Sequence, residues 1–305
     1  MAYGIGWDTT TGRQYYKKLI KEAFDTTARK ANVWSDRVFK MWDSKDEYEE
    51  MTRHAGLGLH SEIADGAEIP LDDPVLDTSK QYRQVRYGLG FKITSGMKKF
   101  NKWYNIKELT TNLSMNMKES KDIEVAKLFN NVTSTDHAGF DTLAPASNSH
   151  TCLDDASSTY DNYLDAALSV GALEDALVYF DTLVDDQGQI MTADPDTLVV
   201  HPKLRFTAAE LLGSTLKPDT ANNNINSLTE DFNLKYFVYK RLTSTTAWFV
   251  LAKNHPDYRY FCITSQAPDI AVQDEPAISR STVVSSESWF DYGQSDPRLA
   301  CFGNT

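Results

Sequence analysis

The stretch from Gly58 to Gly88 constrains the fold more than any other part of this chain. It is about thirty residues long, bounded by Gly56-Leu57-Gly58 and Gly88-Leu89-Gly90, and shows little core-forming apolar pattern. A segment of that length inside a compact domain is uncommon unless it has a task. It contains Gly66, Pro70 and Asp72-Asp73-Pro74, then Lys80 to Arg86, where Tyr82, Gln84 and Arg86 alternate with Arg83, Val85 and Tyr87 and neither face is clearly apolar. This predicts a two-stranded ribbon that projects from the body and is hinged at Gly56, Gly58, Gly88 and Gly90. Arms of ~13–15 residues at ~3.3 Å each would reach roughly 45–50 Å. A lone ribbon is only marginally stable in water, so Ile69, Leu71, Val75, Tyr82, Arg83 and Arg86 are expected to meet an outside partner.

The flanks read more conventionally. Tyr15, Leu19, Ala23 and Phe24 form an apolar stripe, so a helix is expected from Tyr15 to about Asp25. Val33, Trp34, Val38, Phe39, Met41 and Trp42 are an apolar patch among charges, and Trp34 and Trp42 are expected to bury on another part of the chain or on a neighbour. A helix from about Asn105 to Asn131 has no Gly or Pro for 27 residues, a rod of ~40 Å. Beyond a turn-rich segment from Ser134 to Ser158, short helices are expected around Leu164–Phe180 and Leu204–Leu212. Strands are expected at Leu198–Val200, Tyr236–Arg241, Ala247–Ala252, Tyr260–Thr264, Ile270–Val272 and Ser281–Ser286. The class is α+β.

Charge divides the chain. Its formal net charge is −12, yet Ser134 to Glu230 alone holds 16 acidic and 3 basic residues, while the remainder is nearly neutral. A separate, solvated lobe is expected there, one that phosphates would avoid. Hydrophobic residues make up 41%, enough for a real core, and no apolar run approaches the ~18 residues of a membrane span. No secretory signal opens the chain, so synthesis in a cytoplasm is expected.

Catalytic patterns are thin. No nucleophile elbow or phosphate-binding loop is present, and the two Gly-x-Gly pairs lack the third glycine and helix of a dinucleotide site. Cys152, Cys262 and Cys301 have neither zinc spacing nor an even count, and they read as buried hydrophobes. His54 with His60, or His137 with His150, are weak metal pairs. Asp72-Asp73, Asp154-Asp155 and Asp185-Asp186 read as solvated turns rather than acid/base pairs. Lys80 is a conceivable cross-linking amine, but the sequence identifies neither an Asn partner nor a carboxylate to move the proton. No cofactor or metal is expected, and the chain reads as a non-enzyme.

Four stretches, in this order and spacing, carry a resemblance. They are Gly56-Leu57-Gly58 with Gly66-Ala67-Glu68-Ile69-Pro70 and Asp72-Asp73-Pro74; Tyr87-Gly88-Leu89-Gly90-Phe91-Lys92-Ile93-Thr94; Ala126-Lys127-Leu128-Phe129-Asn130-Asn131 with Phe140-Asp141-Thr142-Leu143; and Pro195 to Pro202 with the Asn222–Asn226 run. Together with Ser288-Trp289-Phe290-Asp291-Tyr292-Gly293 they resemble the major capsid proteins of tailed bacteriophages, which share the Hong Kong 97-type fold. The resemblance implies an N-terminal arm (1–54), an extended β-hairpin loop (55–100), a peripheral domain with a long spine helix (101–133 and 266–305) and an axial domain (134–265). It implies self-assembly into pentamers and hexamers that close an icosahedral head around double-stranded DNA, in the virion and first in the host bacterial cytoplasm. The implied partners are further copies, a portal, a separate scaffolding protein (only about a dozen residues precede the first helical stripe), DNA held without sequence preference, and in some members decoration proteins; no membrane is involved. An encapsulin-type compartment with protein cargo is the nearest alternative, and a hydrolytic enzyme using the acidic lobe is a remote one. Acidic lobes near ring axes repel one another, so salt or divalent cations should raise capsomer yield; a yield independent of ionic strength would remove that expectation.

Overall fold

One extended run of chain, Leu76 to Ile93, organises the structure. The computed structural model describes residues 10–30, 34–73, 75–100, 102–153, 159–213, 234–265, 269–274 and 280–304. In order these form α1 (Thr10–Lys30), β1 (Lys40–Asp43), β2 (Tyr48–His54), β3 (Leu76–Arg83), β4 (Val85–Ile93), α2 (Ser95–Lys99), α3 (Trp103–Asn130), β5 (His150–Thr151), β6 (Thr159–Tyr160) and β7 (Tyr163–Leu164). They continue with α4 (Val170–Asp181), β8 (Thr197–Val200), α5 (Arg205–Gly213), β9 (Lys235–Val238), β10 (Trp248–Leu251), β11 (Tyr260–Thr264), β12 (Asp269–Asp274), β13 (Thr282–Gln294) and β14 (Ala300–Gly303). The Asn222–Asn226 run and Asp154-Asp155 lie outside the described residues.

The first sheet is built on β13. Its register runs Phe290↔Val85 to Thr282↔Ile93 along β4, while β12 and then β11 share its opposite edge. β1 adds in parallel to β11, with Trp42 opposite Ile263. The second sheet has the order β7-β14-β10-β8-β9. Both faces of its strands β8, β10 and β14 are covered, so Leu198–Val200, Trp248–Leu251 and Ala300–Gly303 are buried throughout. The expected boundary at residue 265 therefore falls between β11 and β12, two strands of one sheet, and the final strand returns to the second sheet. Strand pairing, not the compositional break at 134, decides membership.

The rod-like helix is α3, and it belongs to two cores. Its first half, with Ile106 and Leu113, packs with Tyr16, Ile20 and Phe24 of α1 and with Ile93, Ile270 and Val284 of the first sheet. Its second half, with Val125, Leu128 and Phe129, enters the large core around the second sheet. Phe129 sits among Phe39, Phe249 and Tyr260 at ring distances of 5.1, 5.3 and 5.8 Å. The chain after α1 is fastened to α3 as well. The Ser35 N–H donates to buried Asp122 at 2.7 Å, although burial pushes that carboxyl's pKa up. Among the described residues no helix is long and apolar enough to cross a membrane.

Phe129→Ala should cost about 3–5 kcal/mol of stability, because the surrounding aromatic cage cannot collapse fully into the hole. Phe100→Ala, at a side chain 73% exposed, should stay within about 0.5 kcal/mol. Urea unfolding midpoints of the two variants check this.

Candidate intersubunit surface

The ribbon exists, but its strands are not those the glycines suggest. It pairs β2 with β3, from Tyr48↔Arg83 to His54↔Leu76, so one arm lies within the segment expected to be the N-terminal arm. Gly88 and Gly90 sit inside β4, in continuous register with β13, and not at a bend. At Gly90 a Cβ would lie 2.9 Å from the Val284 carbonyl, so close backbone approach accounts for that glycine. Only Gly56 and Gly58 remain at the mouth of the projection.

From residue 56 to 76 every described residue is exposed, and the described residues there form no strand or helix before Leu76. A turn closes through Ala67 N–H to the Ala64 carbonyl at 3.0 Å, with Gly66 at φ 83°, a region where glycine carries no steric penalty. Gly58 N–H donates to Asp72 at 2.7 Å and cross-braces the loop. Ile69 and Leu71 are 75% and 96% exposed, with Leu57, Leu59, Val75 and Leu76 also open. So many open apolar side chains on one projection make it the candidate contact surface. Leu57, Leu59 and Leu76 were legible only as neighbours of glycines or of the ribbon.

Tyr82, expected to meet an outside partner, turns inward, and Trp34 and Trp42 bury on their own chain, one of the two places expected for them. Tyr82 is buried beside Phe261 and donates its hydroxyl to the Gln294 carbonyl at 2.6 Å. Trp42 stacks on Phe261 at 4.9 Å, and Trp34 packs on Phe237 at 5.8 Å. The reason is local: β1 and the ribbon base fold over β11, which offers aromatic surface. Arg83 pairs with Glu47, and Arg86 pairs with Glu287 at 2.9 Å; both arginines remain exposed. Lys80 donates to the Ala138 carbonyl and lies 5.1 Å over the Tyr82 ring, and burial lowers its pKa against the pull of Asp291 and Asp141.

The root of the projection is an ionic clasp that the sequence reading missed. Asp186, after α4, accepts from both Arg53 of β2 and Arg298 ahead of β14. It also accepts the Leu153 N–H at 3.2 Å, and Arg53 reaches the Thr151 carbonyl at 3.0 Å. Burial works to raise the Asp186 pKa, but the hydrogen bonds and charges of Arg53 and Arg298 outweigh it and hold the carboxyl low. These groups line a polar cleft of about 280 Å³ with Arg259 and Asp296. Arg53 was the available signal, a lone cation at a position of β2 that points inward. The Asp185-Asp186 pair thus splits into a turn-former, with Asp185 accepting from Gln187 and Gln189 N–H groups, and a clasp. His150 pairs with Asp141, and among the described residues no cluster of three or more His, Cys, Asp or Glu converges on a metal position. Cys152, Cys262 and Cys301 are buried and none is part of a disulfide.

A model of the family described as phage capsid protein matches residues 77–301, about three quarters of the chain. The chain belongs to the phage capsid protein family. No curated protein matches it in sequence. Solved structures match the fold across nearly all of this capsid subunit. A chain of the bacteriophage JBD30 procapsid is 9% identical, with 97% of this chain and 76% of that one covered and a TM-score of 0.57. The virus-like particle from Pyrococcus furiosus is 9% identical, with 94% and 98% covered and a TM-score of 0.56. The SrpI encapsulin of Synechococcus elongatus PCC 7942 is 9% identical, with 89% and 86% covered and a TM-score of 0.53. The α+β architecture is the Hong Kong 97-type capsid fold, and the chain is a structural rather than catalytic protein in type.

Asp186 has a depressed pKa, so its contribution is present above the unfolded carboxylate value of about 3.9 and is lost as pH falls through the lower folded value. Asp186→Asn should loosen β2 at neutral pH as acid does in the parent, by about 3–5 kcal/mol because two buried arginines lose their anion. Hydrogen exchange across 48–54 and 76–83 checks it; unchanged protection would refute the clasp.

Proposed function

We propose that this subunit self-assembles through pentamers and hexamers into the icosahedral head of a tailed bacteriophage, enclosing double-stranded DNA. The observation that carries the reading is the 56–76 projection. Its apolar side chains find little cover on their own chain, and a neighbouring copy supplies the missing surface. Rings of five and six demand the same contact at slightly different angles. A loop without regular structure, entered through Gly56 and Gly58, adapts at small cost, and the clasp at its root keeps it pointed. Many weak contacts around a closed shell make loss of one subunit rare.

A portal and a separate scaffolding protein accompany this reading, with assembly in the host cytoplasm; decoration proteins are compatible with it. The membership of β7 and β8 in the second sheet, with α4 and α5 packed in the same core, supports an axial role for that lobe, and α3 suits a spine. An encapsulin-type compartment is the second reading, favoured by the SrpI encapsulin among the similar structures.

Ile69→Ser with Leu71→Ser should leave the subunit's melting temperature unchanged, since both side chains are exposed, while shell yield falls by about tenfold or more. Negative-stain images and sedimentation check this. Particles tens of nanometres across in the parent support the shell; a monomer at high concentration overturns it. Protein cargo in place of DNA would select the encapsulin reading.

A further inference from the structure

The two helices against the first sheet begin at the same corner. Tyr16 and Trp103 lie with ring centroids 5.4 Å apart, and Ser114 donates to the Phe24 carbonyl at 3.0 Å. Two contacts in this order make α1 and α3 run in the same direction, with their N-terminal halves side by side. Between Asp77 and Glu108 the sequence has eight basic residues and no acidic one, and α1 places Arg13, Lys17, Lys18 and Lys21 ahead of Glu22. Lys17 pairs with Asp274 at 3.2 Å, and Lys98 donates to the Arg280 carbonyl at 3.1 Å, which brings the end of β12 and a further cation to the corner. Lys18, Lys21, Lys99, Lys102 and Lys107 are exposed there. The opposing charges are Glu22, Glu108 and Asp274. The first turns of α1 and α3 contain no acidic residue, so the helix dipoles add to this positive field instead of being offset.

We propose that this corner is the face of the subunit that meets packaged DNA, through its phosphates and without reading bases. The proposal rests on the shell-around-DNA reading and adds the surface and its orientation. The chain as a whole carries −12, and residues 134–230 carry 16 acidic against 3 basic residues, so a duplex is repelled from that side. Phosphate can approach where cations outnumber acids, and at the α1–α3 corner exposed Lys18, Lys21, Lys99, Lys102 and Lys107, with Lys17 and Lys98, outnumber Glu22, Glu108 and Asp274. Lysines on flexible stems are point charges suited to a backbone met at no fixed register. An acidic protein segment lying in the groove of about 420 Å³ between α1 and α3 is the competing occupant. Glu22 on the rim of that groove opposes it.

The test titrates purified full-length subunit onto a fluorescent mixed-sequence duplex of about 30 bp across a salt series. It compares the parent with K18Q/K21Q/K99Q/K102Q and with K203Q/K235Q as a control elsewhere on the surface. The fourfold variant should lose at least about tenfold in affinity at low salt, and its log–log salt slope should fall by roughly 2–4, at about 0.9 per phosphate. The control should match the parent, and both variants should still form particles. Unchanged affinity and slope in the fourfold variant overturn the proposal. So does loss of particles with DNA binding intact, which would assign the corner to a protein contact. If the parent forms no particles, the shell reading fails by itself, and the titration still decides whether the corner binds phosphate.

Discussion

Everything in this fold depends on a change of partner at Gln84. Leu76 to Arg83 pairs with β2 in the projecting ribbon, and Val85 to Ile93 pairs with β13 in the core of the first sheet. Gln84 is buried between them, with its N–H on the Glu47 carbonyl at 3.2 Å and its side-chain amide on the Asp46 carbonyl at 3.0 Å. A projection that shares one continuous strand with the core cannot swing as a free flap. Its base is fixed by β4, and the Arg53–Asp186–Arg298 clasp fixes it again from the second sheet's side. Flexibility is then confined to the part beyond Ala55, where the apolar residues lie.

This arrangement explains which parts of the structure could be read in the sequence. The helix α3 was legible because period and length suffice over 28 residues. Buried strands such as Leu198–Val200 and Tyr260–Thr264 were legible as short apolar runs bounded by turns. The ribbon was half legible. Its existence followed from a segment too long and too polar to be core, but its strands were misplaced, because Tyr48 to His54 reads as a charged stretch with only Met51 packed on an apolar cluster. Glycine was a poor guide to bending: Gly88 and Gly90 both lie in the continuous register of β4 with β13, and Gly90 serves close strand approach. The clasp was invisible, since Arg53, Asp186 and Arg298 come from three distant segments and only the fold brings them together.

Tyr82 was misread, and Trp34 and Trp42 were left open between their own chain and a neighbour, for a related reason. Tryptophans in a charged arm suggest a missing partner, and the chain itself supplies it. Trp42 and Tyr82 enclose Phe261 from two sides, stacked and edge-on, which welds β1, the ribbon base and β11 into one unit. Self-completion at the base and incompleteness at the tip are two sides of the same design. On the proposed reading, a root held firmly by its own chain lowers the ordering cost of bringing the tip against a neighbour.

Charge follows the same division. The acidic lobe and the basic α1–α3 corner lie in different parts of one subunit, joined by the single rod of α3 that serves both cores. Like charges gathered at each end make identical contacts between lobes, or between corners, unfavourable at low ionic strength, where the screening length is long. Apolar tips such as Leu71 carry no such penalty, because their attraction does not depend on salt in the same way. On the proposed reading, assembly of such subunits has two terms: a short-range apolar one that fixes which surfaces meet, and a screened electrostatic one that sets the conditions under which they stay together. Separating the terms onto different segments lets ionic conditions or a polyanion shift the balance without altering the geometry of the joint.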